Sequence, residues 1–229
     1  MNGCVALAWS MGLYDFNNMS LIREMMKHSD DDSVFFDVGA NMGIYGLLAS
    51  ESENTTVYCF EAHPQTSEIL SRQVSINSRK NIKIVRSAVS NRDGELSFSD
   101  EPNSPVNQVV AGSESSGMVT VPCLRGDTFC RQENVQPDFM KLDVEGHEIE
   151  VLEGFGNCLE KCKIFFVEEN ATQEEFREAI PDFFMGPLYV DFAARRFSKE
   201  AVNHSEDAVY LNKNYLDFFN TTLGFKVVE

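Results

Sequence analysis

The chain has 229 residues, 43% of them hydrophobic and 18 of them Phe, which suits one α/β domain with a real core and excludes a disordered polymer. Nineteen basic against 36 acidic residues leave a net charge of −17, a surface that repels phosphate backbones and argues against nucleic acid as a partner. No apolar run is long enough to span a bilayer, and the first residues lack the basic stretch of a secretory leader. The six cysteines form no CxxC pair. Cys158 and Cys162 share a helical spacing, but no second ligand pair stands near them, so neither zinc nor disulfides are expected. A cytoplasmic protein follows from these readings.

In chain order, Leu21–Lys27 reads as a lead-in helix with Ser20 as its N-cap. Val34–Val38 (VFFDV) is a buried strand, followed by a helix over Gly43–Ser50. Thr56–Glu61 (TVYCFE) is a second strand, and Pro64 suits the first turn of a helix that runs to about Asn77. Ile82–Ser87 is a third strand. Asn91–Gly94 (NRDG) is a turn signal, and Glu95–Ser99 alternates like a half-exposed strand. Residues 100–118, rich in Ser, Gly, Pro and Asn, read as a loop, with a functional role and plain disorder both open. Asp138–Asp143 and Lys163–Glu168 are strands. Between them His147–Leu152 is helical and stops near Gly154 and Gly156. The tail carries a helix near Gln173–Ile180, strand patterns at Leu188–Phe192 and Ala208–Leu211, and a helix from about Tyr215. No linker or repeat divides the chain, so residues 1–229 are expected to form one domain: a lead-in over 1–32, a cofactor-binding core over 33–170 and a sheet-completing tail over 171–229. Alternating strands and helices predict a doubly wound, mostly parallel sheet, with an antiparallel pair closing the tail.

Three strand ends carry the chemistry. FDVGANMG, from Phe36 to Gly43, joins a buried strand to a helix, the place where open α/β sheets bind ligands. Gly39 and Gly43 let backbone approach a ligand closely. Asn41 stands where a third glycine is common, and Asn tolerates the left-handed conformation. The spacing of Gly39, Gly43 and Gly46 does not fit the dinucleotide signature G-x-G-x-x-G. A carboxylate at Asp37 would repel a pyrophosphate but suits the ammonium and sulfonium of S-adenosylmethionine. Glycine turns after strands are also common for purely structural reasons.

Glu61 ends the second strand, beside Ala62 and 24 residues after Asp37, where a carboxylate can accept both hydroxyls of a ribose. Alone it would be a solvated strand-end charge. Lys141–Glu148 (KLDVEGHE) is the third feature. Asp143 is expected to face the methionine end of the donor, and Glu145, His147 and Glu148 are candidates to orient or deprotonate an acceptor hydroxyl. A solvent-facing first-turn role for His147 stays open. Oxygen clusters also suit Mg²⁺, but nothing in the sequence requires a metal and none is assigned.

The combination DVGAN…FEAHP…KLDVEGHE, with AVSNRDG and FFVEEN, resembles the FkbM family of methyltransferases over roughly residues 20 to 170. The resemblance implies a class I methyltransferase (Rossmann-like) sheet of seven strands with the last antiparallel. It implies S-adenosylmethionine as donor and, usually, a hydroxyl on a sugar, glycan or small natural product as acceptor. By that resemblance Asp37, Gly39, Asn41 and Gly43 line the methionine part, Glu61 holds the ribose, and Ser87 and Ala88 lie near the adenine. Asp127 corresponds to the acidic residue of a "TLDD"-like segment, although the chain reads LRGDTF with Gly126 in place of leucine. N-methylation, or a donor-binding module without catalysis, are the alternatives, and a homodimer is compatible with the sequence.

The −17 charge has two readings: a well-solvated surface, or adaptation to a high-salt cytoplasm in which screening removes self-repulsion. The second expects the melting temperature to climb steadily up to molar KCl. A flat melting curve against KCl leaves only the first.

Overall fold

The computed structural model describes residues 15–99, 118–168, 173–201 and 207–228. In chain order these form α1 (Phe16–His28), β1 (Ser33–Val38), α2 (Ile44–Ala49), β2 (Thr55–Phe60), α3 (Pro64–Ile76), β3 (Ile82–Val85), β4 (Ala88–Ser90), β5 (Gly94–Ser99) and β6 (Met118–Arg125). Then come α4 (Gly126–Glu133), β7 (Phe139–Leu142), α5 (Glu148–Phe155), β8 (Ile164–Val167), α6 (Gln173–Ala179), β9 (Phe184–Asp191), β10 (Arg196–Ser198), β11 (Ala208–Asn212) and β12 (Lys226–Val227).

The main sheet is built from strands that are apolar on both faces, as a sheet covered twice requires. Adjacent residues of each strand enter opposite cores. Phe35, Val57, Phe139 and Phe166 pack with Leu21 and Met25 of α1, Tyr45 of α2 and Leu70 of α3. Phe36, Tyr58, Met140 and Phe165 pack with Phe129 of α4, Leu152 and Phe155 of α5 and Phe176 of α6. The period of two along the strand produces this division directly.

The strand order is β12-β10-β9-β11-β8-β7-β1-β2-β3. β1 pairs in parallel with both β2 and β7, and β7 with β8. β11 lies antiparallel between β8 and β9. Seven strands, from β3 to β9, thus form the expected class I arrangement with one reversed strand. The two short strands β10 and β12 extend its edge beyond what the sequence indicated.

Several local expectations shift. Ser20 lies inside α1, because the helix begins at Phe16 behind the left-handed Asp15. The third strand ends at Val85, and Ala88–Ser90 joins a separate small sheet of order β4-β6-β5. Its middle strand, Met118–Arg125, was not anticipated, since Pro122 interrupts the pattern and proline ordinarily demotes a strand. The helix expected from Tyr215 is a short 3₁₀ turn, Lys213–Tyr215, followed by a π-turn at Phe218–Thr222. The loop expected over 100–118 falls, except for Met118, outside the described residues. Among those described, no helix is long and apolar enough to cross a membrane.

The small sheet is locked to the main body where α5 crosses β4. A Cβ on Gly154 would lie 2.0 Å from the Ser90 carbonyl oxygen. Gly154→Ala is therefore expected to lower the unfolding free energy by roughly 1–3 kcal/mol, read from urea denaturation.

Candidate active site

Chain order reverses between β1 and β7: β2 and β3 run to one side of β1, β7 and β8 to the other. The two strands are close partners here, with Asp143 N donating to Val38 O at 3.0 Å. A cleft opens beyond their carboxyl ends, where open α/β sheets bind their ligands. Gly39, Asn41, Glu61, Ala62, Ser87, Ala88, Asp143, Glu145 and His147 all line it.

The loop after β1 owes its path to three left-handed residues, Gly39, Asn41 and Gly43. At Gly39 the need is absolute, because a Cβ would sit 1.8 Å from the Asp143 carbonyl oxygen. Asn41 adopts φ 50°, the conformation that made its replacement of glycine physically mild. Its N–H donates to Glu61 Oε2 at 2.9 Å, and His63 N–H donates to Glu61 Oε1 at 2.8 Å. Burial raises the Glu61 pKa, while these two amides pull against the rise. A carboxylate has about four acceptor positions, so two backbone bonds leave capacity for ribose hydroxyls. The residues present fit the nucleoside of S-adenosylmethionine: a carboxylate at the end of β2, a side-chain-free approach at Gly39, and Ala62, Ala88 and Phe98 on one wall.

Three expected site residues stand elsewhere. Asp37 is 2% exposed and lies beneath the loop, its Oδ2 accepting from Gly46 N at 2.7 Å and from the Cys59 thiol at 4.0 Å. It holds the start of α2 and is not among the residues lining the cleft. Gly43 faces Leu70 of α3. Glu148, 2% exposed, accepts from Val144 N at 3.2 Å and Gly146 N at 3.1 Å, so it braces the turn that follows β7. That turn needs bracing, since Glu145 and Gly146 both have positive φ. Asp127 pairs with Arg125 and Arg131 in the first turn of α4, away from the cleft lining.

On the wall itself, His147 Nε2 meets Ser90 Oγ at 2.9 Å and Nδ1 faces Glu150 at 3.5 Å. Burial lowers its pKa, with Glu150 opposing. A neutral ring whose Nε2 accepts a hydrogen bond from the Ser90 hydroxyl and whose Nδ1–H points to Glu150 satisfies both contacts. Glu145 is different. Burial and then the charges of Asp143, Glu168 and Glu148 raise its pKa. Carboxylate oxygens of Asp143, Glu145 and Glu168 lie within 4.8 Å of one another. Glu168 directly follows β8 as Glu61 directly follows β2, the same strand-end signal in the sequence. His63, Thr66 and Phe98 also line the cleft without having been anticipated. His63 lay in plain sight two residues after Glu61.

Comparison with known proteins decides the family. Residues 37–205 match the Methyltransferase FkbM domain. The chain belongs to the FkbM methyltransferase family. Family membership makes S-adenosylmethionine the methyl donor. The hexuronic acid methyltransferase AglP of Haloferax volcanii is 31% identical over 152 residues, which is 66% of this chain and 62% of that protein. The chain thus matches less than two thirds of that relative's length. Among solved structures, SMU.1697c of Streptococcus mutans in complex with S-adenosylhomocysteine shares 11% identity and a TM-score of 0.52, covering 87% of this chain and 99% of that one. An rRNA methylase from Streptococcus thermophilus shares 10% identity and a TM-score of 0.50, covering 84% and 94%. These two likenesses establish the class I methyltransferase fold.

Asp37 yields a pH prediction. Burial, opposed by the Gly46 amide and by Lys141, pushes its pKa from 3.8 up to about 7. Between those values the native state holds a proton that the unfolded chain has lost, so stability falls as pH rises and levels off above 7. The slope from this group reaches about 1.4 kcal/mol per pH unit. Asp37→Asn is expected to remove that share of the slope and to be the more stable protein, relative to wild type, at pH 8 than at pH 5. Urea unfolding at four pH values measures it.

Proposed function

We propose that this FkbM methyltransferase domain transfers a methyl group from S-adenosylmethionine to a hydroxyl of a sugar, on a glycan or a small natural product. The observation that carries the reading is the Glu61 carboxylate, held by two backbone amides at the mouth of β2 in a cleft whose lining also includes Asp143 and Glu145. Bound in this cleft, the sulfonium supplies an already activated methyl group. What remains for the protein is alignment and the removal of one proton.

Glu61 grips the ribose, Ala62, Ser87 and Ala88 border the base, and Asp143 meets the methionine ammonium. Glu145 takes the acceptor proton. It is the carboxylate of the post-β7 turn on the cleft wall whose pKa is raised, by burial and then by neighbouring carboxylates, and a raised pKa makes a carboxylate the better proton acceptor. His147 keeps both ring nitrogens engaged with Ser90 and Glu150 and shapes the wall. A sugar acceptor draws support from the hexuronic acid named for the Haloferax volcanii relative. The free thiols Cys59, Cys123, Cys130, Cys158 and Cys162 suit a reducing, cytoplasmic setting.

Calorimetric titration with S-adenosylmethionine and with NAD tests the donor class, and only the first is expected to bind. Labelled methyl transfer to oligosaccharides ending in neutral sugars or hexuronic acids tests the acceptor. A protein that binds the donor and labels no acceptor of either kind is a module without this activity. Glu61→Gln is expected to weaken donor binding about tenfold or more. Glu145→Gln is expected to lower kcat by roughly 10²-fold or more while donor affinity stays within about threefold of wild type. A Glu145→Gln enzyme with full kcat removes Glu145 as the base.

A further inference from the structure

Lys141 sits in the middle of β7 with only 1% of its side chain exposed. It shares a strand face with Phe139, whose neighbours on that side of the sheet are hydrophobic. Its ammonium lies 3.3 Å from Asp143 Oδ2, 3.1 Å from Asp207 Oδ2 and 3.4 Å from the Leu142 carbonyl. The ring of Tyr45 in α2 is 5.2 Å away. Tyr45 OH in turn donates to Asp15, the residue ahead of α1, and Asn18 of α1 donates to the Asp207 carbonyl at 3.2 Å. Segments ahead of β1, after β1, after β7 and ahead of β11 therefore meet at one buried cation.

Stability does not explain a lysine here. A buried ion pair commonly contributes no more than an apolar side chain of similar volume would. Burial works against the charge, and Asp143 and Asp207 more than offset it, holding the ammonium protonated. One of those two partners, Asp143, also lines the donor cleft, and its carbonyl is the surface on which Gly39 rests.

We propose that Lys141 is a positioning residue for the methyl donor: its buried ammonium fixes the Asp143 carboxylate at the methionine end of the cleft and ties it to Asp207 at the start of β11. The inference rests on the donor-binding reading of the cleft. It makes a prediction opposite in sign to simple electrostatics. Removing a cation near a cationic ligand strengthens attraction if only the field matters. If position matters, binding weakens, because Asp143 is released to solvent.

The test is titration of wild type and Lys141→Met with S-adenosylmethionine and S-adenosylhomocysteine, alongside thermal melting. Wild type is measured first, and failure to bind either ligand overturns the donor reading itself rather than the role of Lys141. In a cooperatively melting Lys141→Met protein, both ligands are expected to bind at least fivefold more weakly. They should be affected alike, since they share the methionine ammonium and differ in the sulfonium. A loss below fivefold for either ligand, or tighter binding of S-adenosylmethionine, overturns the proposal. If Lys141→Met does not melt cooperatively, Asp207→Asn, which keeps the lysine and removes one tether, decides it. At least a threefold loss for both ligands supports the positioning role, and a smaller loss overturns it.

Discussion

The structure turns on one contact: residue 39 has no side chain because the carbonyl of Asp143 occupies the space where a Cβ would be. This contact joins the end of β1 to the end of β7 at the place where chain order reverses. A crevice forms at such a point because the crossovers leaving β1 and β7 lie over opposite faces of the sheet. A larger residue at 39 would part the two strand ends, and the positions of Asn41, Glu61 and Asp143 depend on their staying together. Specificity for a ligand is thus built from backbone geometry first and from side-chain chemistry second.

Much of this was legible in the sequence because strand ends leave strong local signals. FDVGANMG, TVYCFE and KLDVEGHE each join an apolar run to a polar residue, and β1, β2 and β7 end within a residue of where those runs stop. The signal weakens where an element is stabilised by partners distant in sequence. Met118–Arg125 is held between β4 and β5, and its composition, broken by Pro122, carries no hint of the pairing. Side-chain direction was also beyond local pattern. Asp37 and Glu148 are acidic residues in the right motifs, yet each carboxylate turns onto backbone amides of its own loop. A motif locates a carboxylate along the chain, whereas the fold decides which way it faces.

The acids of this site divide by that criterion. Asp37 and Glu148 each accept hydrogen bonds from backbone and hold turns closed, while Glu61, Asp143 and Glu145 line the cleft. Glu61 does both, since its two backbone bonds fix its orientation before any ligand arrives. Such preorganisation matters energetically, because a carboxylate that must reorient on binding gives up part of the gain as lost side-chain entropy.

A concentration of carboxylates at one end of a sheet would normally drive them apart or protonate them. Asp143, Glu145 and Glu168 have carboxylate oxygens within 4.8 Å of one another, and burial, then the charges of Asp143, Glu168 and Glu148, raise the Glu145 pKa. Lys141 is the counterweight on the buried side, and it reaches Asp143 but is not within ion-pair distance of Glu145 among the described contacts. The consequence is an asymmetry between two carboxylates two residues apart. Asp143 lies 3.3 Å from the Lys141 ammonium, and a carboxylate in the cleft lining suits the cationic methionine end proposed for it. Glu145 is left among negative neighbours, where taking up a proton, as the proposed base must, relieves repulsion instead of adding to it. The same acidic corner therefore offers two different environments, and a single buried lysine pairs with Asp143.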